Sequence, residues 1–332
     1  MNNTNAIKFI SEGISTVSLV KKGDFITDYN VSLEYSYNGT DWSAWDLSGL
    51  TVNSGDALYI RGNNLSSFSF SLETYYMFII EGDNVSCSGN IMSLIDYKNL
   101  SNIIPCEYCF YGLFSRCTAL TTAPELPATE LTDGCYRYMF SGCTSLTTAP
   151  ELPAKTLTKH CYESMFSGCT SLTTAPKLPA SELADSCYEY MFSGCTSLTT
   201  APELPAQRLA DSCYYQMFSD CTALTTAPEL PAQRLAEWCY SNMFFKCSSL
   251  TVAPELPATT LADSCYTGMF FGCTALTTAP ELPAQRLAEW CYAYMFKGCT
   301  SLTKSPELPA TTRADSCYYQ MFSDCTALKG EQ

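Results

Sequence analysis

The stretch Cys187-Tyr188-Glu189-Tyr190-Met191-Phe192-Ser193-Gly194-Cys195-Thr196-Ser197-Leu198-Thr199-Thr200-Ala201-Pro202-Glu203-Leu204-Pro205-Ala206 decides the fold, because the chain writes it again and again. Its first Cys recurs every 26 residues from Cys109 to Cys317, and its second follows eight residues later, from Cys117 to Cys325. Eighteen of the 20 Cys belong to these nine pairs, and only Cys87 and Cys106 stand outside. Met139 to Met321 keep the same period, as do 16 of the 17 Pro, in pairs from Pro124 and Pro127 to Pro306 and Pro309. One unit of this size cannot bury its own Leu, Met, Phe and Tyr, whereas stacked units can, so a fixed period in this range signals a solenoid or array.

Within the unit, Cys187, Met191 and Cys195 are spaced i, i+4, i+8, with Tyr188 and Phe192 one step behind. That spacing predicts a short helix ending near Gly194 or its counterpart Asp220. Leu198 to Leu204 reads as extended chain, turned at Pro205. The paired prolines limit each strand to about two to four residues, because each lacks an N–H. The expected fold is a mixed α/β repeat solenoid of nine coils with short parallel strands and short helices, preceded by a small all-β sandwich.

The block Met-Phe-x-x-Cys-Thr-x-Leu-Thr, as at Met191 to Thr199, resembles the BspA-like class of bacterial leucine-rich repeat. The resemblance covers residues 106–328. It implies a curved solenoid used for adhesion or partner binding, displayed on bacterial surfaces or encoded by phages, and it brings no catalytic residues. Here Ala-Pro-x-Leu-Pro replaces that class's usual run of β-branched strand residues.

Composition shifts near residue 100, since Asn is frequent before it and Asn242 is the only one after Asn102. Ile7 to Ile10, Val31 to Tyr37, Ala57 to Arg61 and Phe68 to Leu72 read as strands. Turns are expected at Lys22-Gly23-Asp24, Asn38-Gly39-Thr40, Ser54-Gly55-Asp56 and Glu81-Gly82-Asp83. Asn90 to Tyr97 reads as a short helix or extended segment. The expected division is a sandwich at 1–88, serving as cap or attachment module, a junction at 89–105, and the repeats at 106–332.

Several function classes fall away. With 33 Asp plus Glu against 18 Lys plus Arg, the net charge of −15 argues against nucleic-acid binding. A single His, His160, leaves little for metal or acid–base chemistry, and no nucleophile elbow, phosphate loop or zinc-protease motif occurs. No enzyme, cofactor or metal is expected. No apolar run approaches 18 residues, so no membrane insertion is expected, and no secretory signal is visible at Met1 to Phe9. The expected location is a virion or cell surface, otherwise the cytoplasm.

The cysteines read first as small buried hydrophobes. On a helix, residues eight apart lie about 12 Å apart, and neighbouring helices about 8–10 Å apart, against the roughly 5.5 Å a disulfide needs. Only a bond such as Cys143 to Cys161 is left open.

Two sets of residues are candidates for a ligand surface. One is the ladder between the prolines, Glu125, Glu151, Glu203, Glu229, Glu255, Glu281 and Glu307, broken by Lys177; it reads as a solvated face or as an acidic strip. The other is aromatic and occupies variable places of the unit: Tyr138, Tyr190, Tyr215, Tyr294 and Tyr319 after the repeated Cys-Tyr, and Trp238 and Trp290 before the Cys. Exposed Tyr and Trp suit protein or glycan recognition, whereas buried ones would pack coil on coil.

Asp211 to Leu224 is identical to Asp315 to Leu328, and Pro228 to Tyr240 to Pro280 to Tyr292, as if whole cassettes had been shuffled. Shuffling keeps the fold and changes exposed positions, which suits a binding protein. The expected partner is a protein or glycan of a cell surface, with an assembly partner for the first domain. A structural spacer is the alternative.

Overall fold

The computed structural model describes residues 5–23, 31–64, 69 and 72–328. Most of the expected strand Phe68 to Leu72, and Asp24 of the first expected turn, lie outside them.

Strands come first: β1 (Ile7–Ser11), β2 (Ser15–Lys22), β3 (Leu33–Ser36), β4 (Ser43–Ala44), β5 (Leu50–Val52), β6 (Ala57–Gly62), β7 (Tyr75–Gly82), β8 (Val85–Ser88) and β9 (Leu120–Thr122). One sheet has the order β4-β3-β6-β1-β8-β9 and the other β5-β2-β7. Burial alternates along β1, β2, β6 and the first six residues of β7, as expected where one face meets a core. Phe9 of the first sheet meets Phe78 of the second edge-on, with ring centroids 5.5 Å apart, so the sheets pack face to face. The expected turns at Gly39, Gly55 and Gly82 form with positive φ. At Gly82 a Cβ would sit 2.4 Å from the Ile14 carbonyl oxygen, so no other residue fits there unshifted. β2, β4, β5, β7 and β8 have no counterpart among the expected strands. In β2 Ser and Thr share the strand with Val and Leu, and β7 holds an unbroken apolar run that gives no period. Asn90 caps a single 3-10 turn, Ile91–Leu94, by accepting from the Met92 N–H.

The expected repeat helices do not form: among the described residues that 3-10 turn is the sole helical element. The Cys-to-Cys segment is instead a run of overlapping four-residue turns. In the unit starting at Gly134, the N–H groups of Cys135, Arg137, Met139, Ser141 and Cys143 each donate to the carbonyl three residues back. The intervening Gly134, Tyr136, Tyr138, Phe140 and Gly142 donate to Lys159, Cys161, Glu163, Met165 and Ser167 of the next repeat, at 2.7–3.0 Å. Half the N–H groups thus find partners inside the repeat and half in its neighbour, and a helix would have used them all locally. Every fourth residue, Gly134, Tyr138 and Gly142, takes the left-handed conformation, with φ of 60°, 57° and 74°.

This turn ladder sends two residues in and two out per step. Cys135, Tyr136, Met139, Phe140 and Cys143 are each 0–1 % exposed. Phe140, Phe166, Phe192, Phe218 and Phe244 form a parallel column with centroids 5.7 Å apart, and Tyr136 onward forms another at 5.7–5.9 Å. The extended half contributes less pairing than expected. Beyond β9, Thr148, Thr174, Thr200, Thr226, Val252 and Thr278 link one to the next by single parallel bridges.

The corner β7–β8, where the chain passes from the second sheet to the first, continues this stack. β8 pairs in parallel with β9, the Phe78 N–H donates to the Leu113 carbonyl, and the Phe78 ring stacks on Phe114 at 4.9 Å. Phe78 thereby stands where a preceding repeat would place its Phe, and one continuous core runs from the sheets into the repeats.

Candidate functional site

The cysteines prove to be structural. In the second column the Cys143 thiol donates to the Phe114 carbonyl at 3.0 Å, Cys169 to Phe140 at 3.1 Å and Cys195 to Phe166 at 3.1 Å. Cys117 does the same to Phe78, at 3.2 Å. Each Sγ–H therefore clips one repeat to the Phe of the one before. Cys87 and the repeat cysteines from Cys117 to Cys325 are free thiols, including Cys143 and Cys161. The helix-based distances do not apply, because repeats stack at ring spacings near 5.7 Å rather than at interhelical ones. Burial disfavours the thiolate and pushes Cys169 and Cys221 up to about 12.

The outward positions of the turn ladder carry the variation. The residue before the first Cys is Trp238 or Trp290 in two units and Tyr, Gly, His or Ser elsewhere; the next two outward places hold Tyr, Glu, Arg, Gln, Asn, Ser, Thr, Ala or Gly. Many adopt the left-handed turn, among them Tyr138, Tyr190, Trp238, Trp290 and Tyr294, so the backbone aims these side chains alike in every unit. Trp238, Trp290 and Tyr319 are exposed by 42 %, 40 % and 44 %, while Tyr138, Tyr190, Tyr215 and Tyr294 are half-buried.

The structure gathers these rings into groups. Tyr215 meets Tyr190 at 5.4 Å and Trp238 at 6.2 Å, both edge-on, and Gln216 bridges the Tyr190 and Tyr215 hydroxyls. Tyr319 meets Trp290 at 5.6 Å and Tyr294 at 5.3 Å. Tyr138 joins a third group with Tyr111, which also touches Tyr75 and Tyr108. Sequence reasoning missed Tyr75, Tyr108 and Tyr111; the last two occupy the same variable places in the first unit, and aligning that unit with the rest would have found them.

Between the Tyr111–Tyr138 group and the Tyr190–Trp238 group lies a charged network that the sequence did not flag. Glu163, 4 % exposed, receives Arg137 on one carboxylate oxygen and His160 Nδ1 on the other, both at 2.6 Å. Glu189 stands beside it, its carboxyl raised by burial and then by the Glu163 charge. His160, Glu163 and Glu189 place ligand atoms within 4.8 Å of one another. Both Glu163 oxygens are already engaged, so a divalent cation would have to displace Arg137 or His160.

The Glu ladder is exposed throughout, from Glu125 to Glu307, and lies in the Pro-Glu-Leu-Pro segments rather than among the rings. Open grooves form between adjacent members, such as Glu229 with Glu255 and Glu255 with Glu281.

A family model for the BspA type leucine rich repeat region matches in six copies over residues 107–251 and 178–303. These spans cover more than half of the chain, which therefore belongs to the BspA-type leucine-rich repeat family, whose members are often adhesive or protein-binding. No curated protein and no solved structure matches it. No helix of the described residues is long and apolar enough to cross a membrane.

Proposed function

We propose that this chain is a non-enzymatic recognition protein in which nine coils form one solenoid and present the outer turn face to a protein or glycan of a cell surface. The observation that carries the reading is the partition of the repeat. Core columns scarcely vary, whereas the outward turn positions change from unit to unit and bring Tyr190, Tyr215 and Trp238, and Trp290, Tyr294 and Tyr319, into partly exposed groups. Rigid aromatic area of this kind is what recognition surfaces use. In this reading residues 1–88 cap the first coil through β7–β8 and also dock to the cell or particle that displays the repeats, residues 89–105 join the two parts, and the Glu ladder keeps the other segments solvated.

Binding of the full chain to a glycan array and to intact cells tests it. Trp238→Ala and the pair Trp290→Ala with Tyr319→Ala should abolish most of the signal while leaving the unfolding transition in place. Retention of all binding in these variants, or no binding by the parent chain, would overturn the reading.

A further inference from the structure

One groove is lined by positive charge in a molecule that is acidic overall. It lies between two adjacent repeats, has a volume of about 720 Å³, and is lined by Gln207, Arg208, Leu209, Pro231, Gln233, Arg234 and Leu235. No acid lines it, whereas the grooves between Pro-Glu-Leu-Pro segments each carry two Glu. Arg208 and Arg234 occupy the same place of consecutive repeats, and both are exposed. Among the described residues neither forms an ion pair. Glu182, which pairs with Arg208 through the backbone on the far side from Arg234, accepts instead from the Thr156 hydroxyl at 3.4 Å.

The fold thus places two arginines on one groove of a chain with a net charge of −15, neither of them in an ion pair among the described residues. Guanidinium forks recognise planar or tetrahedral oxyanions, two such forks converge on one anion better than either alone, and the Gln207 and Gln233 amides add donors and acceptors for hydroxyls. The floor of Leu209, Pro231 and Leu235 offers an apolar surface, and the size suits a short oligosaccharide rather than a protein face. We infer that Arg208 and Arg234 form a subsite for an acidic sugar, one bearing a carboxylate or a sulfate, on the glycan bound by this protein. The inference rests on the recognition reading above and names its ligand class.

The chain contains its own control. Gln285-Arg286-Leu287 repeats the motif, but Arg286 has Thr260 and Thr312 at the equivalent places on either side, so it lacks a twin. The test is calorimetric titration of the full chain with a hyaluronate hexasaccharide, which carries carboxylates, a sulfated dextran oligomer, neutral maltohexaose and a hexaglutamate peptide. At least one acidic saccharide should bind, and Arg208→Gln or Arg234→Gln should weaken it by at least about tenfold, with Arg286→Gln unchanged and added salt weakening the parent. Which acidic saccharide responds decides between carboxylate and sulfate. An equal loss in Arg286→Gln overturns the paired site, and binding of hexaglutamate alone overturns the sugar assignment. Binding of maltohexaose alone, lost in Trp238→Ala, sinks the acidic subsite and leaves the recognition reading standing. If none of the four probes binds and cells are not bound either, both fall.

Discussion

A left-handed backbone at a non-glycine residue costs about 1–2 kcal/mol, and the turn ladder requires one at every fourth position. At Gly194, with φ of 73°, the chain avoids that cost, and the Cβ of a larger residue would approach Gly168 Cα to 3.6 Å. Gly194→Val should therefore lose about 1–3 kcal/mol of stability in urea unfolding, because a β-branched side chain resists that φ; an unchanged midpoint would show that the ladder is not so constrained. The neighbouring Cys195 donates to the Phe166 carbonyl from a fully buried site. Its replacement by Ala removes that bond and leaves a small void, at an expected cost of about 1–3 kcal/mol. At this scale the sequence was informative: which residues face inward could be read from Cys135, Tyr136, Met139 and Phe140. The hydrogen bond that gives the second Cys its purpose could not, since its acceptor lies 29 residues earlier in the chain.

The repeating element keeps its thiols neutral in the core, and this makes stability depend on alkaline pH. In the unfolded chain thiols titrate near 8.5, whereas burial holds Cys169 and Cys221 protonated to about 12 and Cys135 and Cys161 well above their usual value. Across that window the unfolded state binds fewer protons than the folded one. Each such thiol subtracts about 1.4 kcal/mol of stability per pH unit, and the contribution is intact below about 8.5. Urea midpoints should fall steeply between pH 8 and pH 10, and a flat profile would contradict thiol burial. Titration of the denatured chain with a thiol reagent should find nearly all cysteines reactive, while the native chain reacts slowly.

On the scale of the whole molecule, the sheets and the repeats stand or fall together at Phe78. Its ring lies between Trp45 and Phe114, its N–H donates to Leu113 and its carbonyl accepts from Cys117. Phe78→Ala should cost about 3–5 kcal/mol, and hydrogen exchange should speed up first around residues 109–117, losing protection there before the middle repeats. Uniform loss along the chain, or loss confined to β1–β8, would show that β7 does not support the first repeat. The candidate surface belongs to this scale as well. The sequence placed Trp238 and Tyr215 at variable positions of successive units, but their 6.2 Å contact exists only because the repeats stack in register. The Arg137–Glu163–His160 network escaped notice for the same reason, its members being drawn from two repeats.

By itself the sequence determined the period of 26 residues, the inward set of Cys, Tyr, Met, Phe and Leu, the strand-rich first hundred residues and the family. It did not determine the path of the backbone between the two Cys. Over eight residues a helix drifts only about 80° from a strict four-residue period, so helix and turn ladder share one apolar pattern. The choice is made by where the N–H groups of Tyr136, Tyr138 and Phe140 are satisfied, and that is in the next repeat. Local spacing carries no record of a bond to a residue 25 positions on, and only stacking supplies the acceptor.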